Sequence, residues 1–317
     1  MNSRITALVF FMIFVELLPA VRKPSAVAAI SEQQASSLLQ QFHKFFEPIV
    51  ASHGARLFTE LDFTATSAGA MATRSYDHKK WFIKVWGGIP KFPSATDDTY
   101  TLILCHEMGH HIGGYPFYSH SVDEWAATEG QADYWATQAC AKKLWRDQIE
   151  INSTFQNVTD SGCEVLFTEG NEVNLCKRIY RAVDINAELE GKTSKGGMPS
   201  IKRRDASVAK ELIVSHPMAQ CRVDSMLMGL RCTREFNFNN IPGRGNPLGQ
   251  NTISSENEAR SSSCFVSDSF DTGVRPLCWF KPAYLDKAPE PMPKANSDFA
   301  EDRRLDLNDG LLPWIID

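Results

Sequence analysis

The sequence predicts an α+β protein, mainly helical with a small sheet, and three observations carry that prediction. Apolar residues recur at helical spacing in several long stretches. One stretch, Trp81-Phe82-Ile83-Lys84-Val85-Trp86, alternates with period two and is stopped by Gly87-Gly88. The 317 residues, 43% of them hydrophobic, hold ample material for one elaborated domain with a real core.

The elements follow in order. Residues 1–28 read as a secretory signal peptide: Arg4 is a short positive region, Ile5 to Val15 an apolar run, and Ala26-Val27-Ala28 a small-residue cleavage site. Ala20 is a rival cleavage point, and an uncleaved anchor is the alternative reading. The run is short for a bilayer, and Glu16 closes it. The main domain is expected over 29–286. Leu38, Leu39, Phe42, Phe45 and Phe46 place a helix from Ile30 to about Pro48. Residues 57–86 look strand-rich. A helix follows Pro93, with Ser94 or Thr96 as N-cap and Asp97 and Asp98 at its positive end, and it halts at Gly113-Gly114. Ser121-Val122-Asp123-Glu124 reads as a capping box opening a second helix to about Trp145. Two more helices are expected at 163–189 and 203–230. Beyond Cys232, loops pinned by Cys264 and Cys278 are expected. The tail, 287–317, is Pro-rich, then charged, and peripheral.

The formal charge of −5 argues against a nucleic-acid coat, and it becomes more negative once Arg4, Glu16, Arg22 and Lys23 leave with the signal. Eight cysteines, with no C-x-x-C pair, point to disulfides in an oxidising compartment rather than to zinc fingers. The mature chain is therefore expected to be acidic, soluble and secreted or periplasmic, with no stable membrane insertion after signal cleavage. A Cys105–Cys140 bond would clamp two neighbouring helices. Local pairs 163–176, 221–232 and 264–278 are candidates for the rest, among the 105 connectivities that eight cysteines allow.

His106-Glu107-Met108-Gly109-His110 is an H-E-x-x-H sequence on the helix 97–112. Spacing of i, i+4 places both imidazoles on one helical face, where they can share one Zn2+ ion. Glu107 sits one residue on, suited to a water rather than to the metal. A third ligand is needed. The H-E-x-x-H-x-x-G-x-x-H reading fails, because Pro116 stands where the third histidine belongs and His120 comes four residues late. Glu129 on the next helix is the expected ligand, with Glu124 the alternative. Asp133, i+4 from Glu129, can accept a hydrogen bond from the other nitrogen of a ligand histidine. Trp125, Ala126, Ala132, Tyr134 and Trp135 flank the pair, so both carboxylates are expected to be buried, which is costly without a cation.

These motifs, His106-Glu107-Met108-Gly109-His110 and Glu129-x-x-Ala132-Asp133 with a later Ser215-His216-Pro217 and Arg222, resemble gluzincin metallopeptidases, particularly the CAAX-prenyl endopeptidase group and its soluble relatives. The resemblance covers roughly residues 80–230. It implies a zincin-like fold, His106, His110 and Glu129 as zinc ligands, and Glu107 as catalytic base. It places His216 near the oxyanion and Arg222 in an ion pair with a motif carboxylate such as Asp133. It also makes the strand 81–86 the edge strand that precedes the zinc helix and pairs with substrate; an ordinary core strand is the alternative. The His110-to-Glu129 interval is short for that group, and the cysteines and the region after 232 are foreign to it.

The expected function is a secreted zinc endopeptidase acting on a peptide or protein substrate, with Glu107 moving the water's proton. His216 is the first candidate for oxyanion support, with Tyr115, Tyr118, Tyr134 and Arg222 behind it. His216 could instead simply begin a helix at Pro217. Two other readings stand: a non-catalytic exported binding protein on the same scaffold, and a zinc hydrolase of a non-peptide amide. A dead shell has no need of Glu107. Phe92, Tyr115, Phe117 and Tyr118 are candidates for a cleft wall.

Overall fold

The computed structural model of the protein describes residues 29–265, 270 and 272–283. The expected signal peptide at 1–28 and tail at 287–317 lie outside the described residues. Among the described residues the fold is α+β, mostly helical, with one three-stranded sheet.

Helix α1, Glu32–Ser52, is capped by Ser31, whose Oγ accepts the Gln34 N–H. It buries Ala35, Leu39, Phe42, Phe46 and Val50 at three- and four-residue spacing. Pro48 does not end it: the proline is exposed, so the bond it forfeits lies on the solvent side while Val50 holds the last turn in the core.

Strands β1 (Arg56–Asp62), β2 (Ala70–Arg74) and β3 (Lys80–Trp86) form a sheet in the order β1-β3-β2. β1 is parallel to β3, and β2 is antiparallel to it. The strand preceding the H-E-x-x-H helix is therefore central, correcting the expected edge strand. A period-two pattern reports one buried face, here Trp81, Ile83 and Val85, and is silent about how many sides are hydrogen-bonded. The antiparallel edge is β2.

Helix α2, Asp97–Ile112, starts as expected at Thr96: its Oγ1 accepts the Thr99 N–H while the Thr99 hydroxyl accepts the Thr96 N–H. It is buried on every side from Thr99 onward, as befits a central helix. Gly109 is needed where the next helix crosses, since a Cβ there would lie 2.9 Å from Ala132 Cα.

That next helix begins later than expected. Ser121–Glu124 makes a turn, and Glu124 Oε1 accepts the N–H groups of Trp125 and Ala126. Residues 124–127 stay out of a helix because the Ala127 N–H is bound to His110 O and Ala127 bridges to Phe117. Helix α3, Glu129–Trp135, then runs through a π-helical stretch, Ala136–Ala141, into α4, Lys142–Trp145, ending where expected.

Short helices α5 (Ile149–Ser153) and α6 (Cys163–Leu166) precede α7 (Gly170–Thr193), so the stretch expected at 163–189 is broken once. The helix expected over 203–230 is only α8, Ala219–Arg231. Residues before it form a strap whose backbone is bonded elsewhere: Ala209 N–H to Leu277 O, Ile213 N–H to Trp279 O, and Val214 O from the Glu129 N–H. Pro217 also disfavours a helical His216. One further helix, α9 (Ile253–Ala259), lies in the loop region.

All eight cysteines pair, as Cys105–Cys140, Cys163–Cys176, Cys221–Cys278 and Cys232–Cys264. The first two match expectation and the last two correct it. Cys221 and Cys232 sit at opposite ends of α8, and eleven residues of helix separate two Cα atoms by about 16 Å, beyond disulfide reach. Among the described residues no helix is long and apolar enough to cross a membrane.

Candidate metal centre

α2 and α3 cross so that His106, His110 and Glu129 bring one ligand atom each within 4.8 Å of one another, all buried. The two imidazole Nε2 atoms are 3.2 Å apart, and Glu129 Oε2 lies 3.1 Å from His106 Nε2 and 3.7 Å from His110 Nε2. Each ring is held from behind. His106 Nδ1 lies 2.8 Å from Asp133 Oδ1, and His110 Nδ1 lies 2.8 Å from Ala127 O.

Those contacts decide the chemistry of the front. Both Nδ1 atoms face acceptors, so each carries its proton there and each Nε2 presents a lone pair. Two lone pairs and a carboxylate oxygen without a well-formed hydrogen bond then meet in a buried space. With both rings neutral such a set repels itself unless a proton or a metal cation is shared. A tetrahedral zinc with Zn–N of about 2.0–2.1 Å separates two ligand nitrogens by about 3.3–3.4 Å, close to the 3.2 Å observed. The residues fit a metal ion. Without one, His106 is pulled both ways: burial lowers its pKa, and the carboxylates of Asp133 and Glu129 outweigh that, raising it to about 10. Carboxylates that favour an imidazolium there favour a bound cation equally.

The remaining electrostatics are set by burial. It pushes His110 down to about 4 and Glu107 up to about 7. Burial also acts to raise Glu129, but His110, His106 and His216 win and hold it well below the usual carboxylate range.

Arg222 reaches Asp133 from α8 with two bonds, Nε to Oδ2 at 2.8 Å and Nη2 to Oδ1 at 2.9 Å, the ion pair expected of it. Its Nη1 donates to Glu190 Oε2 at 2.7 Å, and Ser194 Oγ donates to the same oxygen. Glu190 and Ser194 on and after α7 were not foreseen. A signal existed: Asn186 and Glu190 interrupt, at i, i+4, a stripe in which Ile179, Val183 and Ala187 are buried.

His216 sits at the rim, with 38% of its side chain exposed and Nε2 3.3 Å from Glu129 Oε2. Tyr118 donates its hydroxyl hydrogen to Glu129 Oε1 at 2.5 Å, so this tyrosine orients Glu129. The other oxyanion candidates are engaged elsewhere: Tyr115 OH donates to Glu256, Tyr134 OH to Gly273 O, and Arg222 to its two carboxylates. Glu124, the alternative ligand, spends its carboxylate on Ser119, Trp125 and Ala126. His120 lies against Gln250 O. Of the candidate cleft residues, Phe92 lines a small apolar cavity with Ile89, Tyr100 and Ile103, and Tyr115 and Phe117 are core.

Compared with known proteins, the chain matches no family model, no curated protein and no solved structure. Its fold and site define an α+β protein with a buried His-His-Glu group that could hold a metal ion.

Proposed function

We propose that the protein is a secreted zinc-dependent endopeptidase with a zincin-like catalytic domain of the gluzincin kind. The observation that carries this is the convergence of two imidazole Nε2 atoms and the Glu129 carboxylate beside a buried Glu107. Zinc bound by His106, His110 and Glu129 supplies a Lewis acid that polarises a carbonyl and acidifies water.

The chain's own groups do the rest. Glu107, raised by burial to about 7, is matched to taking a proton from water and handing it to a leaving amine near neutral pH. Asp133 and Arg222 fix the His106 ring, and Tyr118 fixes Glu129. His216, half exposed at the rim, is the donor best placed to meet a developing oxyanion. β2 packs against α2 and is the antiparallel edge of the sheet among the described residues, the kind of strand to which an extended peptide can add. Export accords with four disulfides.

The test is cleavage of a peptide library by wild type and Glu107→Gln at equal zinc content. Loss of roughly 10²–10⁴-fold in the variant supports the proposal. Zinc-loaded wild type that cleaves no better than the variant overturns it, and leaves a binding protein on this scaffold.

A further inference from the structure

Glu129 presents its two oxygens to different partners. Oε1 accepts the Tyr118 hydroxyl hydrogen at 2.5 Å. Oε2 is the oxygen that faces the imidazoles, 3.1 Å from His106 Nε2, 3.7 Å from His110 Nε2 and 3.3 Å from His216 Nε2. What holds Tyr118 in that place lies on neither α2 nor α3. Residues 116–118 run antiparallel to 126–128: the Tyr118 N–H donates to Ala126 O at 3.0 Å and the Thr128 N–H to Pro116 O at 2.9 Å, with Phe117 opposite Ala127. In such a non-hydrogen-bonded pair the N–H and C=O of Phe117 point away from Ala127. They are met by one side chain from 134 positions further along the chain. Asn251 Oδ1 accepts the Phe117 N–H at 2.6 Å, and Asn251 Nδ2 donates to Phe117 O at 2.6 Å. The carboxamide thus pairs with Phe117 as a neighbouring strand would.

Asparagine suits this place on two counts. Its side chain joins an acceptor to a donor in one plane, whereas an ionised acid of the same shape lacks the donor. Its φ of 57° lies in the left-handed region, which asparagine tolerates better than most residues. The same loop is fastened nearby: the Gln250 N–H donates to His120 O, and Asn251 Nδ2 also approaches Ser119 O at 3.4 Å. The clamped segment serves the site twice. Besides carrying Tyr118, it pairs with Ala127, whose N–H donates to His110 O and whose O accepts from His110 Nδ1 at 2.8 Å.

We propose that Asn251 is a positioning residue of the metal centre: by clamping Phe117 it keeps Tyr118 on Glu129 Oε1, so that Glu129 offers a metal ion Oε2 alone. This rests on the proposed zinc site and goes beyond it, since it makes the loops after Cys232 part of that site. A carboxylate that binds through one oxygen leaves a tetrahedral ion its fourth position for water; one that binds through both crowds that position.

The test is metal binding by the full chain, read without substrate. Cobalt(II) stands in for zinc as a visible reporter, because its absorption differs between four and five ligands. Zinc affinity is read by chelator competition where every variant is folded. Tyr118→Phe and Asn251→Gly, the latter compatible with a positive φ, should each weaken zinc binding by about 10–100-fold and shift the cobalt spectrum in the same direction. Combining them should cost little more than either alone, because both act through one hydrogen bond. Asn251→Asp, which keeps the size but not the donor, should shift the spectrum likewise, and it carries the comparison if the glycine variant does not fold. Additive losses overturn the inference, as does a cobalt spectrum that the Asn251 variants leave unchanged: Asn251 then only stabilises its loop. An unchanged spectrum in Tyr118→Phe overturns it as well. Failure of the activity is distinguishable. A wild type that binds metal but cuts no peptide removes the endopeptidase and leaves the positioning role, which metal alone reads; one that takes up no metal removes the centre and the inference together.

Discussion

His106 and Asp133, twenty-seven positions apart on crossing helices, meet with Nδ1 and Oδ1 2.8 Å from each other, and Arg222 grips the same carboxylate from behind with two bonds. The carboxylate therefore faces a candidate metal ligand on one side and a buried cation on the other. That arrangement fixes which His106 nitrogen carries the proton and makes the free nitrogen more basic.

Asp133→Asn should therefore weaken zinc binding by about 10–100-fold, as read by competition with a chromophoric chelator. An amide fills the space but offers one acceptor oxygen to the donors of Arg222 and His106, so the variant also loses stability, and zinc affinity is compared where both proteins are folded. Unchanged zinc affinity would show that Asp133 serves packing alone.

Arg222→Met should destabilise the protein by about 3–5 kcal/mol in chemical denaturation, because the buried carboxylates of Asp133 and Glu190 lose their shared cation. By contrast, Arg181→Ala should cost well under 1 kcal/mol, since its pair with Asp184 is solvent-exposed. Equal effects from the two would contradict the importance given to the buried network.

Glu107 gives a pH signature in the metal-free protein. Its folded pKa is raised by burial from 4.5 to about 7, so between those values the unfolded chain binds fewer protons there than the native one. Its contribution is present below about pH 4.5 and lost as pH rises through about 7. Glu107→Gln should consequently stabilise the chelator-treated protein more at pH 8 than at pH 5. A difference of the opposite sign would mean that the carboxyl is not held in a desolvated place.

Removing the Cys105–Cys140 bond by a double alanine substitution should cost about 2–4 kcal/mol and loosen zinc binding, because the bond ties the helix of His106 to the rod that begins at Glu129. Removing Cys163–Cys176, which joins α6 to α7, should lower stability without moving zinc affinity. Parallel changes in both variants would separate the disulfide from the metal.

The parts of this site that were legible in the sequence are those encoded by local spacing. His106 and His110 share a face because they are i, i+4, as do Glu129 and Asp133, and Thr96 caps α2 by a contact three residues long. What stayed hidden depends on partners distant in the chain. The strap before α8 is non-helical because residues 277 and 279 and Glu129 take its backbone bonds. Strand β3 is central because β1 and β2 both find it. Cys221 reaches Cys278, and not its sequence neighbour, because a helix stands between Cys221 and Cys232. Glu190 looked like one more charge on a long helix until Arg222 was brought against it.

A metal centre built by His106, His110 and Glu129 is checked by metal content together with X-ray absorption at the zinc edge. One zinc per chain is predicted, bound by two imidazoles and oxygen donors at about 2.0–2.1 Å, and lost in His110→Ala. A chain that purifies without metal and takes up none, or a zinc with sulfur in its coordination shell, would rule out a His106-His110-Glu129 centre.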